Sequence, residues 1–305
     1  VARIVNFGSL CIDFVYAVPT IAGPAQTVAS TACEQFAGGK GLNQSIAASL
    51  AGAKVVHVGA VGGDGQFLID TLHRAQVDTQ YIINVPQPSG HAIIQVDPSG
   101  RNSIVISGGA NRAIPNSQVE LLDDLLQTDD WLLLQNETND LAKAIELGAR
   151  RSDVHVALNF APPDASASAL PIELLDLLIV NAHEATVLSG CEMPAQALET
   201  LAKRCPETTI VLTLGASGLL YAEPKSSHRH SIPAVPVNAV DETAAGDAFV
   251  GYLLAALVDE TNPFAGLEQA LMTASAAGAL AVTRAGAATS MPRRADVERF
   301  IEDTG

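Results

Sequence analysis

Aromatic side chains are scarce in this chain, 4% of 305 residues with a single tryptophan. A core without them has to be built mostly from Ala, Val, Leu and Ile. Charge is sparse too, at 16%, and it leans acidic, with 33 Asp and Glu against 17 Lys and Arg. The resulting formal charge of −16 leaves no basic face of the kind a general nucleic-acid binder carries. No apolar run is long enough to span a membrane. No signal peptide is read at the start, so a cytoplasmic protein is expected. The four cysteines (Cys11, Cys33, Cys191, Cys205) are scattered, without CxxC or Cys/His metal spacing, and read as reduced thiols. Neither the P-loop spacing nor the Rossmann glycine spacing occurs. The chain is 48% hydrophobic, which excludes a disordered protein and allows a large core.

The most informative stretch runs from Val240 to Leu257, VDETAAGDAFVGYLLAAL. A strand-like run, Ala234 to Val237, precedes it, and a helix from Phe249 to Val258 follows. The small residues Ala244, Ala245 and Gly246 open onto that helix, where free N–H groups and the helix dipole favour an anion. Asp247 beside them has two readings. It is a base that takes a proton from a hydroxyl next to the anion hole, or it is an N-cap.

Phe36 to Asn43, FAGGKGLN, brings a second glycine-rich turn ahead of a helix over Gln44 to Ala51. Its glycines let the backbone approach a ligand closely. Lys40 and Asn43 face that helix start, with capping as the alternative role for Asn43. Asp13 follows the first strand, where a carboxylate suits two sugar hydroxyls or caps a turn. Asp64 is read as the cap of a helix over Gly65 to Ala75.

From Trp131 onward strands and helices alternate, which predicts a parallel sheet covered on both faces. Its strand ends carry Glu137, Asn159, Asn181, Glu184 and the Thr213-Leu214-Gly215 segment, and such an edge is the binding crevice. The segment from Phe14 to Phe36 and a hairpin, His91–Val96 with Asn102–Ile106, predict a small separate sheet. A helix from Leu267 to Arg284 ends in a loop of small residues, whose carbonyls suit a hard cation.

Together these segments resemble the ribokinase branch of the PfkB carbohydrate kinase family over nearly the whole chain. Gly38 to Gln44 is similar to its N-terminal signature, Val240 to Phe249 to its C-terminal one, and Asn181-Ala182-His183-Glu184 to its N-x-x-E motif. The resemblance implies a single three-layer α/β/α domain over residues 1–305, with a mostly parallel sheet. A β-sheet lid over about 12–36 and 88–107 would also pair two subunits. It implies ATP-dependent phosphorylation of ribose or a related small sugar, with Asp247 as base and Ala244, Ala245 and Gly246 as anion hole. Asp13, Gly39, Lys40, Asn43 and Glu137 would hold the sugar. Thr213, Gly215, Ser217, Gly218 and Ser275 would line the nucleotide pocket. Asn181 and Glu184 would organise Mg2+ through water. Asp241, Thr243, Ala281, Arg284, Gly286 and Ser290 match positions that bind K+, mostly through carbonyls. Ribokinases carry Asn two residues before the sugar-binding Asp, where this chain has Cys11. A thiol is a poorer hydrogen-bonding group than an amide, so the departure bears on which sugar is taken. A nucleoside kinase and a non-catalytic sugar-binding regulator on the same fold are the alternatives.

Overall fold

The computed structural model describes residues 2–163, 169–258 and 264–304. Thirteen strands and nine α-helices occur among them. The central sheet has nine strands, in the order β13 (His230–Ile232), β12 (Leu219–Ala222), β11 (Thr209–Thr213), β10 (Leu177–Asn181), β9 (His155–Asn159), β8 (Trp131–Gln135), β1 (Ile4–Phe7), β4 (Val55–Val61) and β5 (Asp78–Asn84). From β11 to β5 every pairing is parallel, and only the β13–β12–β11 edge is antiparallel.

Side chains along each parallel strand alternate between two cores. Ile4, Trp131 and Leu133 join one core, with α1 (Lys40–Leu50), α2 (Gln66–Arg74), α7 (Ala245–Val258) and α8 (Leu267–Ala281). Val297 of α9 (Arg294–Thr304) belongs to the same core. Val5, Phe7, Leu132 and Leu134 join the other, with α3 (Asn116–Leu125), α4 (Leu141–Ala149), α5 (Ala182–Ser189) and α6 (Pro194–Arg204). Helices on both faces of a mostly parallel sheet give the expected α/β fold. The chain leaves β1 toward both sides of the sheet, so β1 and β8 flank a topological switch point, where open α/β sheets bind ligands.

A second sheet of four strands has the order β3 (Ala32–Gly38), β2 (Cys11–Ala17), β6 (Gly90–Val96) and β7 (Asn102–Ser107). The pair β2–β6 is parallel and the others antiparallel. Among the described residues no helix is long and apolar enough to cross a membrane.

Several local expectations change. Helix α1 starts at Lys40 rather than Gln44, with Gly39 (φ +93°) as its N-cap and Asn43 inside the first turn, so Asn43 does not cap. Helix α7 starts at Ala245 rather than Phe249, which places Asp247 in its first turn. Helix α8 stops at Ala281. Asp64 does not cap α2; its Oδ1 accepts from the N–H of Ser89 at 2.9 Å and ties the turn to the start of β6. The Ala234–Val237 run is not a strand, since Pro233 and Pro236 remove the donors a ladder needs. Strands β5, β12 and β13 and helix α9 lie outside the sequence reading. β5 opens on polar Asp78-Thr79-Gln80, and β13 is three residues long.

Candidate active site

The residue just before helix α7, Ala244, takes the left-handed region at φ +61°. Ala248 N–H bonds back to Ala244 at 2.9 Å, while the N–H groups of Gly246 and Asp247 donate to no carbonyl of a described residue. Those two amides form an open positive end, the arrangement that receives an anion.

The Asp247 carboxylate sits in that first turn and is 7% exposed. Each oxygen accepts one side-chain amide from α1. Asn43 Nδ2 donates to Oδ2 at 2.9 Å, and Gln44 Nε2 donates to Oδ1 at 2.8 Å. Two helices therefore aim their first turns at each other. Their close crossing depends on Gly251, where an added Cβ would stand 2.4 Å from the Ala47 Cβ.

Behind the carboxylate lies a chain of buried amides. Gln44 Nε2 also donates to Asn159 Oδ1 at 2.9 Å. Gln135 Nε2 donates to Gln44 Oε1 at 2.9 Å and to Asn6 Oδ1 at 3.0 Å. Asn6 Nδ2 in turn donates to Gly41 O and Ser45 Oγ, each at 2.8 Å. This chain locks the Gln44 rotamer and the flip of each amide, so Asp247 meets a donor rather than a carbonyl. Asn43 Oδ1 is buried and has no partner, an acceptor left for a ligand.

On the small-sheet side stand Asp13, Lys40 and Glu137. Glu137 Oε2 accepts from the Lys40 N–H at 3.0 Å and from the Ser9 hydroxyl. Burial raises the Asp13 carboxyl to about 6, with help from the negative charges of Glu137 and Asp247. Burial works against the Lys40 ammonium, but Asp247, Glu137 and Glu184 outweigh it and its pKa is raised. Gly38 is required beside Asp13, because a Cβ there would lie 2.1 Å from Oδ2. These mutual influences place Asp13, Lys40, Glu137, Glu184 and Asp247 in one electrostatic cluster.

On the other side of the α7 start lies a cavity of about 600 Å³. Thr213, Gly215, Gly218, Gly246, Phe249 and Ser275 are among its lining residues, and so is the Ala234–Val237 run. Ser217, in the same turn as Gly215, does not line it. Asn181 and Glu184 form a capping box on α5: Asn181 Oδ1 accepts from Glu184 N–H at 2.9 Å, and Glu184 Oε2 accepts from Asn181 N–H at 2.8 Å. Burial pushes the Glu184 carboxyl up to about 7, despite the opposing Asn181 hydrogen bond and Lys40 charge. A cation nearby would relieve that buried carboxylate. Among the described residues no cluster of three metal-ligating side chains exists, so a Mg2+ here fits only as an ion held largely by phosphates and water. His183 is exposed on the helix face.

Asp241 joins the α7 approach to the loop after α8. Its Oδ1 accepts from Thr243 N–H and its Oδ2 from Gly286 N–H, each at 2.9 Å. Gly286 takes φ +95°, and the Ser290 hydroxyl donates to Ala287 O at 2.9 Å. The Arg284 guanidinium turns away to Asp296 at 3.4 Å. One carboxylate beside a carbonyl-bearing loop is a donor set that fits a hard monovalent ion.

The sequence reading did not single out Gln44, Gln135 or Asn6. Gln44 directly follows the glycine-rich turn, and that adjacency was the available signal.

The chain is similar to known proteins over nearly its whole length. The profile described as pfkB family carbohydrate kinase matches residues 1–294. A ribokinase of Haemophilus influenzae is 33% identical, covering 97% of this chain and 97% of its own length. A deoxyribokinase of Salmonella typhi is 29% identical, covering 97% and 96%. The solved structure of Arabidopsis thaliana ribokinase complexed with ribose and ATP superposes with a TM-score of 0.87 at 26% identity, covering 99% of each chain.

Proposed function

The chain belongs to the pfkB family of carbohydrate kinases, and on that premise we propose that it transfers the γ-phosphoryl group of ATP to a hydroxyl of ribose or a closely related pentose. An ATP-dependent sugar kinase is what the whole-length kinship supports. The observation that carries the site assignment is Asp247, fixed by Asn43 and Gln44 between the Asp13–Glu137 cluster and the large cavity, beside two open amides.

In this reading Asp13, Gly39, Lys40, Asn43 and Glu137 hold the sugar. The nucleotide occupies the cavity lined by Thr213, Gly215, Gly218 and Ser275. The sugar hydroxyl oxygen attacks the γ-phosphorus in line as its proton passes to the Asp247 carboxylate. The new P–O bond forms while the bond to the β-phosphate oxygen breaks, and ADP leaves. The two amides contributed by Asn43 and Gln44 hold the Asp247 carboxylate oriented for that proton. The N–H groups at the Ala244–Gly246 turn and of Asp247 receive the charge on the transferring oxygens. Lys40 adds a positive charge to the same space.

Mg2+, when bound, neutralises phosphate charge, and Asn181 and Glu184 would hold it through water. K+ would sit among Asp241, Thr243, Ala281, Arg284, Gly286 and Ser290. The four-stranded sheet, which carries Asp13, would act as a lid over the sugar. Its edge strand β7 exposes Ile104, Val105 and Ile106, which supports pairing of two copies there.

A coupled ADP-release assay with Mg·ATP over a sugar panel, with and without K+, tests this reading. Turnover of a pentose is expected. Binding of sugar without ADP release from any of them overturns it in favour of a non-catalytic regulator.

A further inference from the structure

We infer that the preferred substrate is a deoxypentose, one lacking the secondary hydroxyl that would otherwise meet Cys11. This rests on the kinase reading above and names the substrate class of the same site.

Cys11 and Asp13 are two residues apart on β2, so their side chains leave the same face of the small sheet. The Cys11 side chain is buried among the groups proposed to hold the sugar. Burial, then the charges of Glu137 and Asp13, keep it a neutral thiol. Its neighbours across both ladders are glycines, Gly38 on β3 and Gly90 on β6. An added Cβ at Gly39 would lie 3.3 Å from the Cys11 Sγ and one at Gly90 3.1 Å, so these two glycines leave the thiol uncovered on their sides.

Polar help at this spot is already committed. Among the described residues Asn111 is the one polar group within hydrogen-bonding distance of the sulfur, with Nδ2 3.4 Å from Sγ. The same amide donates from Nδ2 to Leu10 O at 2.9 Å and accepts from Leu10 N–H at Oδ1 at 3.0 Å. Turning Asn111 toward a sugar would break both backbone bonds. A thiol is a weak donor and a weak acceptor. Elsewhere the site is well supplied. Asp13 offers a carboxylate, Lys40 an ammonium, and Asn43 Oδ1 is a buried acceptor with no partner. The site is thus polar where hydroxyls are to be held and weakly polar at one wall only. A hydroxyl placed there gives up water for little return, whereas a C–H loses nothing. A pocket wall of this kind rejects an added hydroxyl by about 10² at most.

The test compares kcat and KM for 2-deoxyribose and ribose in the wild type, Cys11→Ser and Cys11→Asn. The expected wild-type kcat/KM favours 2-deoxyribose by about 10-fold to 10²-fold. Both variants should move that ratio toward ribose by about tenfold or more, chiefly through the KM for ribose. The Ser variant, which changes one atom, decides the matter if the Asn variant does not fold. A wild-type ratio near one or in favour of ribose overturns the inference and leaves the kinase reading standing, as does a ratio that neither variant moves. No ADP release with either sugar, or with any other, overturns both.

Discussion

Gln44 Nε2 donates to Asp247 Oδ1 over 2.8 Å, joining two residues 203 positions apart in the sequence. The same amide is fixed from behind by Asn159 and Gln135. The proposed base is thus held by a group that is itself unable to rotate. Asp247→Asn should lower kcat by about 10²–10⁴ while the KM for ATP changes little. Gln44→Ala should cost less, roughly tenfold in kcat, because Asn43 still holds Oδ2. Steady-state kinetics on both variants checks this; full activity in Asp247→Asn would remove Asp247 from the chemistry.

Gly246 separates stability from catalysis. A Cβ built there meets nothing within 4 Å, and its φ lies outside the left-handed region. Gly246→Ala should therefore leave the fold intact, or stabilise it by about 0.5 kcal/mol through helix propensity. The new methyl group nevertheless borders the cavity beside the open amides. The expected result is an unchanged or slightly raised Tm with kcat reduced about tenfold or more, short of the roughly 10²–10³ seen when an oxyanion donor is lost. Wild-type kcat in a normally folded variant would argue against an anion hole at this turn.

Much of this arrangement is legible in the sequence, because it depends on local chemistry. The β/α alternation after Trp131 follows from chain-local periodicity. The polar strand ends at Glu137, Asn159 and Asn181 follow from it once the sheet is parallel. The Gln44 contact is not legible in that way. It exists only because α1 crosses α7, and helix propensity near Gln44 says nothing of a partner in a distant helix. Helix starts were displaced for a related reason. Glycines in GGKG read as a loop by propensity, yet Gly41 lies within α1 because an added Cβ there would be 2.3 Å from the Ser9 N. Close packing, not propensity, selects it. The Ala234–Val237 run looks extended and apolar, but it borders the cavity instead of pairing in the sheet.

Asp13 predicts a pH-dependent stability. Its folded carboxyl titrates at about 6 against an ordinary 3.8, first through burial and then through Glu137 and Asp247. A raised carboxyl favours the protonated folded state, so its contribution is present below pH 3.8 and is lost as pH rises through 6. At neutral pH the wild-type protein without sugar therefore bears the full penalty of an ionised Asp13. Asp13→Asn should stabilise that form by roughly 1–3 kcal/mol at pH 7–8. The gain should shrink as pH falls from 6 to 3.8, and sugar binding should be lost throughout. Thermal melts of both proteins across this range check the sign. A gain that grows toward acid pH would contradict it.

Gly251 tests whether the meeting of α1 and α7 is what assembles the site. An added Cβ would lie 2.4 Å from the Ala47 Cβ, 2.7 Å from the Ala48 N and 2.9 Å from the Gln44 O. Two of those three atoms belong to backbone, so no side-chain rotation relieves the overlap. Gly251→Ala must push the helices apart, at an overpacking cost of about 1–3 kcal/mol. Asp247 lies one turn earlier on the same helix, and its two amide donors come from the helix being displaced. The expected outcome couples two losses: Tm falls by a few degrees, and kcat falls about tenfold or more as the Asn43 and Gln44 contacts lengthen. The cavity proposed for the nucleotide, which no residue of α1 lines, should keep its affinity for ADP within about threefold. Calorimetry with ADP alongside kinetics separates these effects. A lowered Tm with unchanged kcat would mean that Asp247 does not need its contacts with α1.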